Sequence, residues 1–530
     1  MRALLVLGVL LAASFAGCLD DVTSGSKSDA RRTGANAAAP LLGFDPLWFE
    51  LPLSAGDGHN HADHAQHLNL STPNFEVLGY EPLVTDYHGR TAGGYLCGDA
   101  NEKNGRRLSV VHSFTTDIAF IVSDVTNPQK PQKIGEFVMA NTHVYDLAIT
   151  EDQRTVLLAT SPGTNNLGND PGPIVATFHD ACTGETRPVK GPEQGLPFAS
   201  GVVVVDISNP RNPAIADFRF FPVNGGHSVM TRDIGGRPVV LVSVPNGGLP
   251  TVGNPAGLTA HSYYVFAELV ESAQGRKMSV LSVYQHRAQP TPAPGVALSG
   301  NVHDGTLHKH PVTGQWLAYL AHGTSGLVIV NVDDPRNPRF LATWNEWSAL
   351  GEAAQNSHFQ HETLPIDTTW DGKHFTFMGE ECGAHPAKTP TCLVTAFDTT
   401  DPSKPKLVGA WTLPVDVAWA ASLQFSLHYM ALVNQTLFVT VYHGGLWAVD
   451  VSKLGQGGSL SLPSVGVFMP PNQSPKPATG VPYSPRVNDL QAFADGTMVV
   501  YDAYTGLYLV RFNDALPGIV PEPWSFGPPG

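Results

Sequence analysis

Val202-Val203-Val204-Val205-Asp206-Ile207-Ser208-Asn209-Pro210-Arg211-Asn212-Pro213, closing on Asp217-Phe218, is an apolar run, a polar turn opened by Asn-Pro, and a second run ending in an aromatic residue. That order reads as a strand, a tight turn and a returning strand, because proline presets the turn dihedral and the Asn side chain can bond its own backbone. The pattern recurs along the chain. Phe120-Ile121-Val122-Ser123-Asp124-Val125-Thr126-Asn127-Pro128 passes through Pro131 to Ile134-Gly135-Glu136-Phe137, and Leu327-Val328-Ile329-Val330-Asn331-Val332 passes through Asp334-Pro335 and Pro338 to Phe340-Leu341-Ala342-Thr343-Trp344. Val394 to Asp398, with Asp401-Pro402, Pro405 and Leu407-Val408-Gly409-Ala410-Trp411, is a further copy, and Leu446 to Ser452 with Val465-Gly466-Val467-Phe468 is a degenerate one.

Hairpins repeated in this way leave unpaired edges unless they close on themselves, and four-stranded blades around an axis are the economical closure. These stretches resemble the LVIVD-repeat family of propeller proteins, in which the turn carries Asn-Pro or Asp-Pro and a second Pro three residues on. The resemblance spans most of Pro73 to Phe512; near Tyr263 and Leu507 the Asp-Pro turn is missing. It implies a propeller and, because the motif is structural, no particular chemistry. The expected class is therefore all-β, a propeller of about seven blades, with six or eight left open. Strand clusters predict blades near 84–138, 143–219, 227–284, 303–344, 358–411, 428–468 and 488–512. The last is one strand short, and Asn74-Phe75-Glu76-Val77-Leu78-Gly79-Tyr80 has the ending of an outer strand, so pairing of the chain ends is expected to close the ring.

Composition agrees with many short strands and tight turns: 53 Gly and 44 Pro punctuate a chain of 530 residues that is 42% hydrophobic and only 15% charged. The balance of 31 Lys plus Arg against 46 Asp plus Glu, net −15, argues against nucleic acid as a partner. Met1-Arg2, the apolar run Ala3 to Ala16 and Gly17-Cys18 read as a signal peptide, residues 1–17. Phe15-Ala16-Gly17-Cys18 resembles a lipobox, so Cys18 is the expected lipidation site and membrane contact is expected through that anchor only. Residues 18–72 read as a flexible tether with a histidine-rich segment, His59 to His67, and residues 513–530 as a C-terminal tail.

With Cys18 acylated, four cysteines remain in an exported chain. Cys382 and Cys392 flank one loop and are expected to pair, which leaves Cys97 with Cys182, though other connectivities stay open.

The first strand of a propeller blade lines the axis, so a polar residue recurring at that place faces the channel. Histidine recurs there: His88, His143, His227, His303, His358 and His428 open the predicted blades, and Asn488-Asp489 takes the place in the seventh. Converging imidazoles suit copper, zinc or iron. His308, His361 and Glu381 are secondary ligand candidates, and Asp304, Glu362 and Glu380 could add carboxylates or orient the rings. The alternative for the histidines is hydrogen bonding to channel water and backbone, and for Glu380-Glu381 a solvated loop. Nucleophile-elbow, Walker, dinucleotide and zincin motifs are all missing. The sequence alone favours an exported, lipid-anchored, monomeric propeller on the cell surface that binds a protein, glycan or small ligand. The competing expectation is a metal-dependent oxidoreductase or hydrolase with its site in the channel.

Overall fold

A computed structural model describes residues 71–516 apart from 84–94, 114–117, 141, 162–174, 190–200, 222–224, 246–261, 287–301, 324, 351–359, 382–391, 415–424, 471–485 and 504. It contains seven antiparallel sheets. After β1 (Phe75–Glu81), blade 1 holds β2 (Tyr95–Lys103), β3 (Arg106–Ser113), β4 (Ile118–Asp124) and β5 (Gln132–Ala140). Blade 2 opens with β6 (His143–Ile149) and β7 (Thr155–Ser161), is interrupted by β8 (Val175–Asp180) and β9 (Thr186–Pro188), and ends with β10 (Gly201–Asp206) and β11 (Ala214–Phe220). Blade 3 is β12 (Ser228–Asp233), β13 (Pro238–Val244), β14 (Tyr263–Ser272) and β15 (Gly275–Tyr284), and blade 4 is β16 (Gly305–Lys309), β17 (Trp316–Ala321), β18 (Leu327–Asn331) and β19 (Arg339–Trp344). Blade 5 is β20 (Gln360–Pro365), β21 (Phe375–Glu380), β22 (Val394–Asp398) and β23 (Lys406–Trp411), and blade 6 is β24 (Met430–Val433), β25 (Thr436–Thr440), β26 (Leu446–Asp450) and β27 (Ser464–Phe468). Blade 7 is β28 (Val487–Ala492), β29 (Thr497–Asp502) and β30 (Gly506–Phe512), completed by β1 against β30 with Phe75 opposite Phe512. The seven-bladed propeller and its closure by the two ends of the chain are thus as expected.

One boundary is corrected. The stretch 143–219 is not a single blade, because the β8–β9 hairpin leaves it and pairs with β5, widening blade 1 to six strands. The insertion covers the outer edge that β5 would otherwise expose.

The continuous apolar runs follow from the stacking of blades. In β10, Val203 and Val205 pack with Leu108, Phe120 and Phe137 of blade 1, while Val202 and Val204 pack with Val229, Val240 and Val265 of blade 3. A strand with a neighbour on each face loses the apolar-polar alternation of a half-exposed one. Seven such clusters, one at each interface between adjacent blades, constitute the core.

The repeated turn also has a physical reading. Asp206 accepts the Ser208 N–H at 2.8 Å, Asn209 accepts the Arg211 N–H at 3.1 Å, and the Asn212 N–H closes a turn on the Asn209 carbonyl at 2.8 Å. Asp124 and Asn127 do the same in blade 1, and Asp398 and Asp401 in blade 5. The acidic or amide side chain caps the turn while the following proline supplies its φ.

Candidate functional site

The first strands of the seven blades surround the axis, and four of them carry a register shift near their start. The shifts lie between Tyr95 and Gly98, Val144 and Asp146, Gln360 and Glu362, and Val487 and Asp489. A bulge inserts an extra residue and re-aims it out of the ladder. The residues inserted include Cys97, Tyr145, His361 and Asn488. In the other blades His227, His303 and His428 stand just before β12, β16 and β24, their N–H groups bonded to the Ser243, Ala321 and Thr440 carbonyls of the neighbouring strands. Cys97, Tyr145, His227, His303, His361 and His428 together line one cavity on the axis, with Asp146, Ser228, Asp304 and Tyr429 behind them. Its volume of about 10 Å³ is that of a single water.

His303 is central. Its Nδ1–H donates to Asp304 Oδ1 at 3.1 Å, its Nε2 lies 2.8 Å from His227 Nε2, and Glu381 Oε2 is 3.7 Å from the same Nε2. The ring centroids step from His227 to His303 to His361 to His428 at 4.4, 4.0 and 4.2 Å. Among the described residues, His303, His361 and Glu381 form the one group of three whose ligand atoms all lie within 4.8 Å of one another. An ion held at about 2.0–2.1 Å keeps neighbouring ligand atoms about 3.3 Å apart if tetrahedral and about 2.9 Å apart if square-planar. The His227–His303 and His303–Glu381 separations, 2.8 and 3.7 Å, bracket those values.

The groups behind the ligand atoms set their chemistry. Asp304 fixes His303 with its proton on Nδ1 and its Nε2 turned to the cavity. His428 Nδ1–H donates to the Asn488 carbonyl at 2.7 Å, which fixes that ring in the same sense. The Tyr442 hydroxyl donates to Glu381 Oε1 at 2.7 Å and leaves Oε2 for the site. His361 is buried, and its Nδ1 has no hydrogen-bond partner. Burial, and then the charge of His303, push His227 down to about 3, and burial pushes His428 to about 3. Burial and the three neighbouring histidines hold His361 well below the usual range. For His303 burial also works against the charged form, but the Asp304 carboxylate, its hydrogen bond and Glu381 outweigh it and raise the value. The array is thus three neutral imidazoles around one more basic ring.

A second circle of acids is structural. Asp489 accepts the Gly98 N–H at 2.8 Å, Asp99 the Ile149 N–H at 2.8 Å and Asp146 the Val229 N–H at 2.9 Å, tying blade 7 to 1, 1 to 2 and 2 to 3. Burial raises Asp99 to about 6 and Asp146 and Asp489 well above the carboxylate range. Gly98 permits this seam, since a Cβ there would stand 2.4 Å from the Tyr501 ring.

Of the residues expected at the axis, His227, His303 and His428 are there, and His88 and His358 lie outside the described residues. His143 is buried at the start of β6, but Tyr145 lines the cavity in its blade. His361, a secondary candidate, is a full member. His308 is not: it lies toward the far end of β16, 3.6 Å from Asp367 and stacked on His374. Its neighbour His310 is fully buried and bonded to the Thr399 carbonyl at 2.8 Å. Glu380 and Glu381 are both buried rather than solvated; Glu380 accepts the Leu393 N–H and the Gln360 amide, which leaves Glu381 for the site. Cys97 and Cys182 do not bridge. The first is a buried thiol at the axis and the second an exposed thiol 2.8 Å from an Arg211 guanidinium nitrogen in the turn after β8. Cys392 is buried at the entry to β22, while Cys382, Cys18 and His59 to His67 lie outside the described residues.

The sequence reading missed Cys97, Tyr145 and Tyr429. For Tyr145 a signal was present: Tyr145-Asp146, His303-Asp304, His361-Glu362 and Asn488-Asp489 repeat a residue at the opening of a blade followed by an acid.

Comparison with known proteins adds the following. Residues 198–217 match the LVIVD repeat model, so the chain carries the repeat its sequence suggested. No curated protein matches. Among solved structures, a candidate 6-phosphogluconolactonase from Bacteroides uniformis aligns at 12% identity over 79% of this chain and 95% of its own, with a TM-score of 0.44. A Lactobacillus plantarum protein aligns at 11% identity over 79% and 97% with a TM-score of 0.46, and the β-propeller domain of Cps50 (Swd1) from Myceliophteria thermophila at 10% over 79% and 97% with a TM-score of 0.39.

Proposed function

We propose that this propeller is a metalloprotein, holding a copper or zinc ion on its axis through His227, His303, His361 and Glu381. One observation carries the reading: His227, His303 and His361, from three separate blades, line a single water-sized cavity, and ligand atoms of His303, His361 and Glu381 lie within 4.8 Å of one another. Side-chain partners behind them, Asp304 and Tyr442, leave His303 Nε2 and Glu381 Oε2 for the ion, as the outer partners of metal ligands do. Imidazole with one carboxylate suits zinc, copper or iron, and His227 and His361, held neutral by burial, offer lone pairs without proton loss. Such an ion supplies Lewis acidity or electron transfer. The chain's own residues exclude bulk water, and Tyr429 and Asp304 stand where a proton could be passed.

The export and lipid anchor read from Cys18 belong to the same proposal and place the metal centre outside the cytoplasm. A surface-binding role has no comparable geometric support. The test is elemental analysis by mass spectrometry on the purified chain with His59, His61, His64 and His67 changed to Asn. Stoichiometric copper, zinc or iron, lost in His303→Ala and His361→Ala variants that keep their fold, supports the reading. Absence of bound metal after reconstitution with each ion refutes it.

A further inference from the structure

Off the axis, a second pair of histidines bridges blades 3 and 4. His322 follows β17 and His286 follows β15. Only 3% of His322 is exposed, and neither of its ring nitrogens has a hydrogen-bond partner. A neutral imidazole carries one donor and one acceptor, and a buried ring that satisfies neither is rare enough to require a guest. His286, partly exposed, stands beside His322 with ring centroids 5.1 Å apart and planes at 72°. Phe340 packs on His286 with centroids 5.4 Å apart, and Tyr264 lies 6.3 Å from His322. The Tyr264 hydroxyl is engaged with the Ala321 carbonyl at 2.8 Å and so does not serve the histidines.

The spacing admits a metal ion as the guest. An imidazole bound at about 2.0–2.1 Å puts its ring centroid about 3.2 Å from the ion, and two such rings at a tetrahedral angle have centroids about 5.2 Å apart. The separation in the structure is 5.1 Å. Burial keeps both rings deprotonated and ready to donate a lone pair, His322 being pushed down to about 3.

We propose that His286 and His322 form a second transition-metal site, in which two imidazoles bind a borderline divalent cation such as zinc and solvent on the His286 side completes the coordination. The site shares no residue with the axial centre and does not rest on it.

Two measurements test it, both on the chain with His59, His61, His64 and His67 changed to Asn. In equilibrium dialysis against zinc, His286→Ala should lose one equivalent per chain, its affinity for that equivalent falling at least about ten-fold. An unchanged stoichiometry overturns the site. The His303→Ala, His361→Ala double variant should keep this equivalent whether or not the axial site binds. In zinc-soaked crystals, anomalous scattering should give a peak within about 2.1 Å of one nitrogen from each ring. Ordered water on both His322 nitrogens, without such a peak, overturns the assignment.

Discussion

Asp304→Asn tests how much the axial centre depends on what stands behind its ligands. The Asp304 carboxylate accepts the His303 Nδ1 proton at 3.1 Å. Crossing the ring adds about 2.2 Å and the metal bond about 2.1 Å, so an ion on His303 Nε2 sits about 7 Å from the negative charge. A dication and a single negative charge at that distance interact by about 5 kcal/mol at an effective dielectric of 20 and about 1 kcal/mol in bulk water. Losses of 10- to 100-fold on removing such a partner, about 1.4–2.7 kcal/mol, fall inside that bracket. Asparagine preserves size and can still accept the Nδ1 proton, so the ring should stay in place while its basicity falls. The assay is competition for zinc or copper against a chromophoric chelator at neutral pH, with thermal unfolding of the metal-free protein as the control. An affinity within about two-fold of the parent would refute the argument, because it would mean that the ion does not sit on His303 Nε2.

Other expectations concern the scaffold. Gly98→Ala should destabilise by about 2–4 kcal/mol, read as a lower urea midpoint, because the new methyl meets the Tyr501 ring and the Asp489 bond at the seam between blades 7 and 1. Phe75→Ala should cost about 3–5 kcal/mol in the same assay, since Phe75 is 2% exposed and packs between Phe438, Phe468 and Phe512 where the ring closes. Burial pushes the Asp152 carboxyl up, but the Arg276 ion pair at 2.6 Å and the Thr150 hydroxyl outweigh it and hold the value below the usual range. Its stabilisation is therefore complete above the unfolded carboxylate pKa of about 4 and is lost as pH falls through the lower folded value. Asp152→Asn should flatten the acid limb of a stability-pH profile by less than about 1 kcal/mol, given the solvent around the pair, and an unaltered limb would count against the bridge.

Local chemistry reveals the architecture because each repeat is stabilised by its own residues. Asp206 and Asn209 cap a turn within a few residues, Pro210 presets it, and Val202 to Val205 need only an apolar neighbour on either face. None of this depends on distant parts of the chain, so the hairpins, the blades and even the closing strand at Phe75 are legible in sequence. The β8–β9 hairpin was not, because its pairing with β5 joins residues forty positions apart and no local signal chooses that edge over β7.

The axial site is a question of phase, and tertiary structure decided it. The recurrence of histidine at blade openings located His227, His303 and His428. Which residue of β6 or β20 turns inward depends on a bulge, and a shift of one residue exchanges the faces of a strand. Hence Tyr145 stands where His143 was expected, and His361 joins the ring. Burial of Glu381 beside His303, the separation of Cys97 from Cys182, and the meeting of His286 with His322 each require two blades to be stacked. The sequence by itself determined a ring of hairpins with imidazoles toward its axis; packing between blades determined which imidazoles meet, because only closure of the ring sets distances between residues that no local interaction relates.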